Sequence, residues 1–384
     1  MSVFKRPETI FTGKNAIWEA GAAIAACGQK ALIVTGPHVG HSLMMETLKS
    51  VLQEYQIKYS VFSEITGEPT DEMVEAGKQI YLREQCDFFI GIGGGSPLDA
   101  AKAIAAILDH TGSIADFAGI MIEKEIPPLI AIPTTAGTGS EATKFTIITD
   151  LKKDIKMLLK GDCLLPRIAV CDPEFTESSS PSITASTGLD ALTHAVEAYT
   201  SVKAVPLTDA LAVSAIKRIM KYLPKVYLDG SDKKAREEMS VAALEAGICI
   251  NNSSVTIVHG MSRPIGALFH VPHGLSNAML LTKCLTYVAD GAYDRFAELA
   301  YETNAADRTD PVEVAAVKFL QSLETICRIC EVPTLLEYGI SKEEFTQYIE
   351  KMAKDAIASG SPGNTRKQVD ANDCERIYRS LYEQ

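Results

Sequence analysis

Basic and aromatic residues are scarce in this chain. Lys and Arg number 37 against 49 Asp and Glu, and one of the 384 residues is Trp. The formal charge of −12 and pI near 5.2, with no Lys/Arg-rich stripe, work against binding a polyanion, so nucleic acid is not an expected partner. No run approaches the roughly 18 uninterrupted apolar residues that span a bilayer, and the opening MSVFKRPETIFTGKNA has no apolar signal core. The expectation is a cytoplasmic protein that stays off the membrane. No repeat of fixed period and no low-complexity tail is present. The nine cysteines are odd in number and scattered from Cys27 to Cys374, which reads as reduced, packed thiols rather than a disulfide framework. The close pair Cys327 and Cys330 lacks the second CxxC or nearby His that would complete a zinc site. Apolar residues, by contrast, are plentiful at 46%, enough for two cores.

Up to about residue 184, β-branched apolar runs alternate with amphipathic stretches. Strands are expected at 31–35, 59–62, 88–92, 129–132 and 168–171, with helices at 43–54, 73–85 and 98–108 between them. Such alternation implies an α/β domain with a doubly wound, mainly parallel sheet. From about Thr187 the strand signal disappears. Helical periodicities follow at 189–199, 209–223, 233–250, 292–302, 311–329 and 342–356, so the second domain is expected to be all-α. The boundary is placed near the Ser/Pro-rich ESSSPS, with domains 1–184 and 185–384.

The segment FFIGIGGGSPLDAAKAIA runs from a strand through Gly93, Gly94 and Gly95 into a helix, with Ser96 read as N-cap and Pro97 in the first turn. A glycine turn of this kind lets backbone amides approach a phosphate, although the spacing is not GxGxxG and a tight turn with no ligand would look the same. A second loop, IPTTAGTGSEAT, offers Thr134, Thr135, Thr138 and Ser140 after another strand. Two such loops at the carboxyl ends of strands converge on one crevice, which points to a dinucleotide.

Seven histidines are few, so their placement matters. Asp190 and His194 stand four apart in a helical pattern and share a face. His259 and His273 lie in VHGMSRPIGALFHVPHGLSNAMLL, where glycines and prolines are expected to break the helices and turn the imidazoles inward. Taken singly, each His reads as a core or capping residue. Together, one Asp and three His form an N3O set suited to a divalent Fe2+ or Zn2+ with a vacant position for a substrate oxygen. Such an ion stabilises negative charge on a carbonyl oxygen during hydride transfer from a nicotinamide.

GGGSPLDAAKAIA, PTTAGTGSEAT, DPEFT, GLDALTHAVEAYTS and HGMSRPIGALFHVPHGLSNAMLL closely resemble the iron-containing, or group III, metal-dependent alcohol dehydrogenases, over essentially the whole chain. The resemblance implies an NAD(P)-linked enzyme interconverting a small aldehyde and its primary alcohol, commonly a homodimer or larger assembly. It implies Asp190, His194, His259 and His273 as metal ligands. It also implies Gly94, Gly95, Ser96, Asp99, Thr135, Thr138, Ser140 and Lys156 as dinucleotide contacts.

Three positions depart from the family pattern. Arg263 stands where many relatives carry a second histidine thought to relay protons, and His270 is the alternative relay in this chain. An arginine near an apolar metal pocket is costly to desolvate unless it meets an anion or an acidic partner of the protein itself. The first option suggests an anionic aldehyde such as sulfoacetaldehyde, with Lys144 as a second cation, or succinic semialdehyde; the second leaves neutral propanal, butanal or lactaldehyde. Gly36 stands where NAD-specific relatives often place an Asp on the ribose 2′-hydroxyl, which admits NADP. No Lys or Arg occurs between Lys30 and Lys49 to hold a 2′-phosphate, so NAD is favoured. The C-terminal SGSPGNTRKQ differs from the usual Asn-Pro-Arg pattern. A lyase of the dehydroquinate-synthase type shares the broad architecture, but its sugar phosphate needs a cation cluster that the helical half lacks.

Overall fold

The computed structural model describes residues 3–153 and 155–383. The chain divides into two compact units, one of Lys5–Ser179 and one built mainly on Ser180–Gln384.

In the first unit, six strands form a parallel sheet: β1 (Thr9–Thr12), β2 (Lys30–Val34), β3 (Lys58–Phe62), β4 (Phe88–Gly93), β5 (Leu129–Pro133) and β8 (Ile168–Cys171). Their order is β1-β8-β5-β4-β2-β3. Every connection therefore crosses over the sheet, and both faces must be covered. Alternation along β2 shows it: Leu32 and Val34 pack into one core cluster, Ala31 and Ile33 into the other. The helices Leu43–Glu54 and Asp71–Arg83 begin on side-chain caps, Ser42 accepting from the Met45 amide and Thr70 from the Met73 amide. Two features were not resolved by periodicity. One is the edge strand β1; the other is an antiparallel hairpin of β6 (Phe145–Asp150) and β7 (Ile155–Lys160), whose residues are only half-buried and carry threonines and lysines.

Among the described residues of the second unit there is no strand beyond an isolated bridge between Ser201 and Thr365. Its first helix, Pro181–Thr200, starts earlier than expected because the stretch read as a linker is in part its cap. Ser180 accepts from the Ile183 amide at 3.2 Å, and Pro181 holds the first helical position. The expected 184/185 boundary thus falls within that helix's first turn. Further helices include Pro206–Leu228, Lys233–Ser253, Ile257–Phe269 and His273–Val288. Glycine and proline do not fragment the last two as expected: Gly260, Pro264 and Gly274 lie inside them, and the chain breaks only at 270–272. Burial carries these helices past their poor local propensities. Among the described residues no single helix is long and apolar enough to cross a membrane.

Candidate functional site

Asp190, His194 and Glu197 fall at i, i+4 and i+7 of the Pro181–Thr200 helix and face one way. The chain kinks after Ser253, where Ser254 has φ of 74°, and the next helix brings His259 to them from its first turn. His273 opens the following helix. One ligand atom from each of Asp190, His194, His259 and His273 lies within 4.8 Å of all the others. Asp190 Oδ1 is 3.9, 3.7 and 3.9 Å from the Nε2 atoms of His194, His259 and His273. Bonds of about 2.1 Å put the corners of a tetrahedron about 3.4 Å apart, so this set is slightly wide for a first-row divalent ion and closes on one with small shifts.

Electrostatics favour the same occupant. Burial alone would raise the Asp190 carboxyl, but the surrounding imidazoles of His194, His273 and His259 outweigh it and hold the group well below the usual carboxylate range. Desolvation, only partly offset by Asp190, pushes His273 down to about 3, so its nitrogen lone pair is available at neutral pH. Asn277 Nδ2 donates to Asp190 Oδ1 at 2.7 Å and lies 3.0 and 3.3 Å from the Nε2 atoms of His259 and His273. The donor atoms thus converge on a point that already attracts the positive end of a dipole. The His273 side chain is 36% exposed while the Asp190 side chain is 2% exposed, so the cluster opens on one side only.

Arg263 follows His259 by one helical turn. Its Nη1 donates to Ser361 Oγ at 3.0 Å, burial pulls its pKa below the usual arginine value, and among the described residues no carboxylate lies within ion-pair distance. Ser361 and Asn364 belong to the departing SGSPGNTRKQ segment. Asn364 Nδ2 donates to the Val255 carbonyl at 2.9 Å, so this loop buttresses the kink before His259. His270 has φ of 54° as the left-handed C-cap of its helix and is exposed. Among the described residues no side-chain hydrogen bond joins it to the cluster, so the relay reading loses its connection. Lys144 ion-pairs at 3.2 Å within its own unit with Asp162, a carboxylate it shares with Lys5.

The glycine turn and the hydroxyl loop follow neighbouring strands: Gly93 and Pro133 are register partners of β4 and β5, and the Thr134 amide donates to the Gly93 carbonyl at 2.8 Å. The helix Gly95–Ala106 starts two residues before the Pro97 start that a Ser96 cap implies. Gly94, not Ser96, is its N-cap, and no side chain caps it, so the first-turn amides stay open toward an anion. Gly93 has φ of 150°, and a Cβ there would lie 2.6 Å from Pro97 Cγ, so only glycine fits. Gly94, Gly95, Ser96, Thr135 and Thr138 are partly exposed, whereas Thr134 and Ser140 are buried. Ser140 Oγ donates to Asp99 Oδ1 at 2.6 Å, and Asp99 Oδ2 accepts from the Ile147 amide at 2.9 Å. Asp99 and Ser140 therefore spend these bonds inside the fold, joining the helix to the second loop. Gly36 lies at the end of β2, where a Cβ would stand 2.9 Å from the Ile65 carbonyl oxygen. Lys156 Nζ donates to Glu68 at 2.7 Å on the surface.

Three residues of these networks escaped the sequence reading. Lys102, fully buried, donates to Ser140 Oγ, Thr143 Oγ1 and the Phe145 carbonyl at 2.9, 3.1 and 2.9 Å. Its signal was a lysine three residues after Asp99 in an otherwise apolar helix. Glu197 and Asn277 were visible only as polar residues three after His194 and four after His273.

Comparison with known proteins covers nearly the whole chain. Residues 7–173 match the family described as iron-containing alcohol dehydrogenase, and residues 184–382 match its C-terminal domain family. A choline dehydrogenase of Bacillus subtilis is 34% identical over 371 residues, spanning 95% of this chain and 92% of that protein. The crystal structure of a 1,3-propanediol oxidoreductase superposes with a TM-score of 0.96 at 32% identity, covering 100% of both chains. A sulfoacetaldehyde reductase from Bifidobacterium kashiwanohense, solved in complex with NAD+, superposes with a TM-score of 0.88 at 28% identity, covering 100% of this chain and 99% of that one.

Proposed function

The chain belongs to the iron-containing alcohol dehydrogenase family, using NAD(P) and a divalent metal, and from that premise we propose that it is a cytoplasmic, NAD-linked reductase of a small anionic aldehyde, sulfoacetaldehyde first among them. The ion supplies Lewis acidity at the reacting oxygen and the nicotinamide supplies or receives the hydride. The chain's own task is to hold the four ligand side chains in place, present open amides and the hydroxyls of Thr135 and Thr138 to the dinucleotide, and select the substrate.

One observation carries the substrate reading: Arg263, one turn from His259, is half-buried, and among the described residues a serine hydroxyl is its only hydrogen-bonded partner. Even a half-buried guanidinium is costly without a carboxylate, and a sulfonate or carboxylate on the substrate offsets that cost. The similarity to a sulfoacetaldehyde reductase points the same way, while that to a choline dehydrogenase does not. Lys144 is no longer needed, and His270 is left as a solvent-facing group. NAD is favoured over NADP because no Lys or Arg lies between Lys30 and Lys49. A homodimer or larger homo-oligomer is the assembly expected.

The test is an aldehyde panel with NADH and NADPH, comparing the native enzyme with Arg263→His. A charge-assisted hydrogen bond worth about 1.5–3 kcal/mol corresponds to a loss of roughly 10- to 150-fold in kcat/KM for sulfoacetaldehyde or succinic semialdehyde. Propanal, butanal and lactaldehyde should be reduced as before. Equal losses on both classes, or native preference for the neutral aldehydes, would refute an anion-binding Arg263.

A further inference from the structure

Glu197 is a fully buried carboxylate directly behind the metal ligands. Its Oε1 accepts from Thr256 Oγ1 at 2.7 Å and from the Val258 amide at 2.6 Å, and its Oε2 stands 2.5 Å from His259 Nδ1. The first two bonds do the work of a helix cap, because Thr256, the N-cap of Ile257–Phe269, makes no capping bond to its own helix. The third bears on chemistry. A carboxylate facing Nδ1 keeps the imidazole proton there, which leaves Nε2 with its lone pair toward Asp190, 3.7 Å away.

We propose that Glu197 is a positioning residue for the metal centre: it selects the Nδ1–H tautomer of His259, fixes the ring's direction, and supplies the second negative charge that balances a divalent ion beside Asp190. The balance is a matter of counting. Among the described residues Asp190 and Glu197 are the two carboxylates in contact with the cluster, and three neutral imidazoles add nothing, so a 2+ ion brings the ligands and Glu197 to neutrality, with half-buried Arg263 outside that count. An unbalanced charge there would be expensive to bury. Outer partners of this kind typically govern affinity by 10- to 100-fold. The proposal rests on the divalent-ion reading and is independent of the substrate's charge.

The discriminating variant is Glu197→Gln. Its amide oxygen can still accept from Thr256 and Val258, so the helix start keeps its cap. Its amide nitrogen, however, presents N–H to His259 Nδ1 and drives the ring proton to Nε2, the atom that must bind the ion. Affinity for Co2+ or Zn2+, read by competition with a chelator on the metal-free protein, should fall roughly 10- to 100-fold while the thermal midpoint of the metal-free protein moves little. Nitrogen NMR of 15N-histidine-labelled, Zn2+-loaded native protein supplies a reading that needs no variant: His259 should carry its proton on Nδ1. Native affinity in Glu197→Gln, or a proton on Nε2 rather than Nδ1 of His259 in the Zn2+-loaded native protein, would each overturn the proposal. The aldehyde panel could fail without touching any of these outcomes.

Discussion

Glu141 follows Ser140 in the hydroxyl loop, is 2% exposed, and makes no salt bridge among the described residues. Desolvation dominates its surroundings, with only its own backbone amide and the more distant Lys102 opposing, and its carboxyl is pushed up from 4.5 to about 7. The group is therefore preferred neutral in the fold. A raised carboxyl contributes stability that is fully present below pH 4.5 and is lost as pH rises through 7, because the folded chain must then either hold a proton or bury a charge. At about 1.36 kcal/mol per pH unit, the loss reaches about 3 kcal/mol by pH 7.5. Glu141→Gln is nearly isosteric and stays neutral, so it should match the native protein at pH 4.5 and exceed it by up to about 3 kcal/mol at pH 7.5. Urea unfolding of both proteins at closely spaced pH values, without metal or cofactor, measures the difference directly; other titrating groups cancel between the two curves. Parallel curves across pH 4.5–7.5 would refute the assignment and show that Glu141 is already ionised in the fold at low pH.

Two further changes test the centre and the loop separately. His259→Ala should remove the stabilisation that added Zn2+ or Fe2+ confers on the native protein, about 2.7 kcal/mol at an ion concentration near 100 times Kd; an unchanged thermal shift would mean that His259 is not a ligand. Gly93→Ala forces a side chain into a conformation of φ 150° and against Pro97, at a cost of roughly 1–3 kcal/mol, and should weaken NADH binding at least tenfold by fluorescence titration. Native affinity in that variant would separate the turn from the cofactor.

The alternation of apolar runs and helical patterns determined the architecture, because a parallel sheet buried on both faces has no other way to be written. That Asp190 and His194 stand together was equally legible: a spacing of four on a helix puts them on one face whatever surrounds them. What tertiary structure alone decided is how polar groups are spent. Asp99 and Ser140 look like cofactor contacts in their motifs, yet they bond each other and buried Lys102, which lies in the same motif but shows no partner there. Lys144 pairs with Asp162, while among the described residues Arg263 finds only Ser361, and both facts depend on chain segments 18 and 98 residues away. Glu197 meets His259 across 62 residues of sequence, and a hydrogen bond closed by folding leaves no period to read. Local spacing records which face a side chain occupies; desolvation and partnership, which set its charge and its role, are properties of the packed chain.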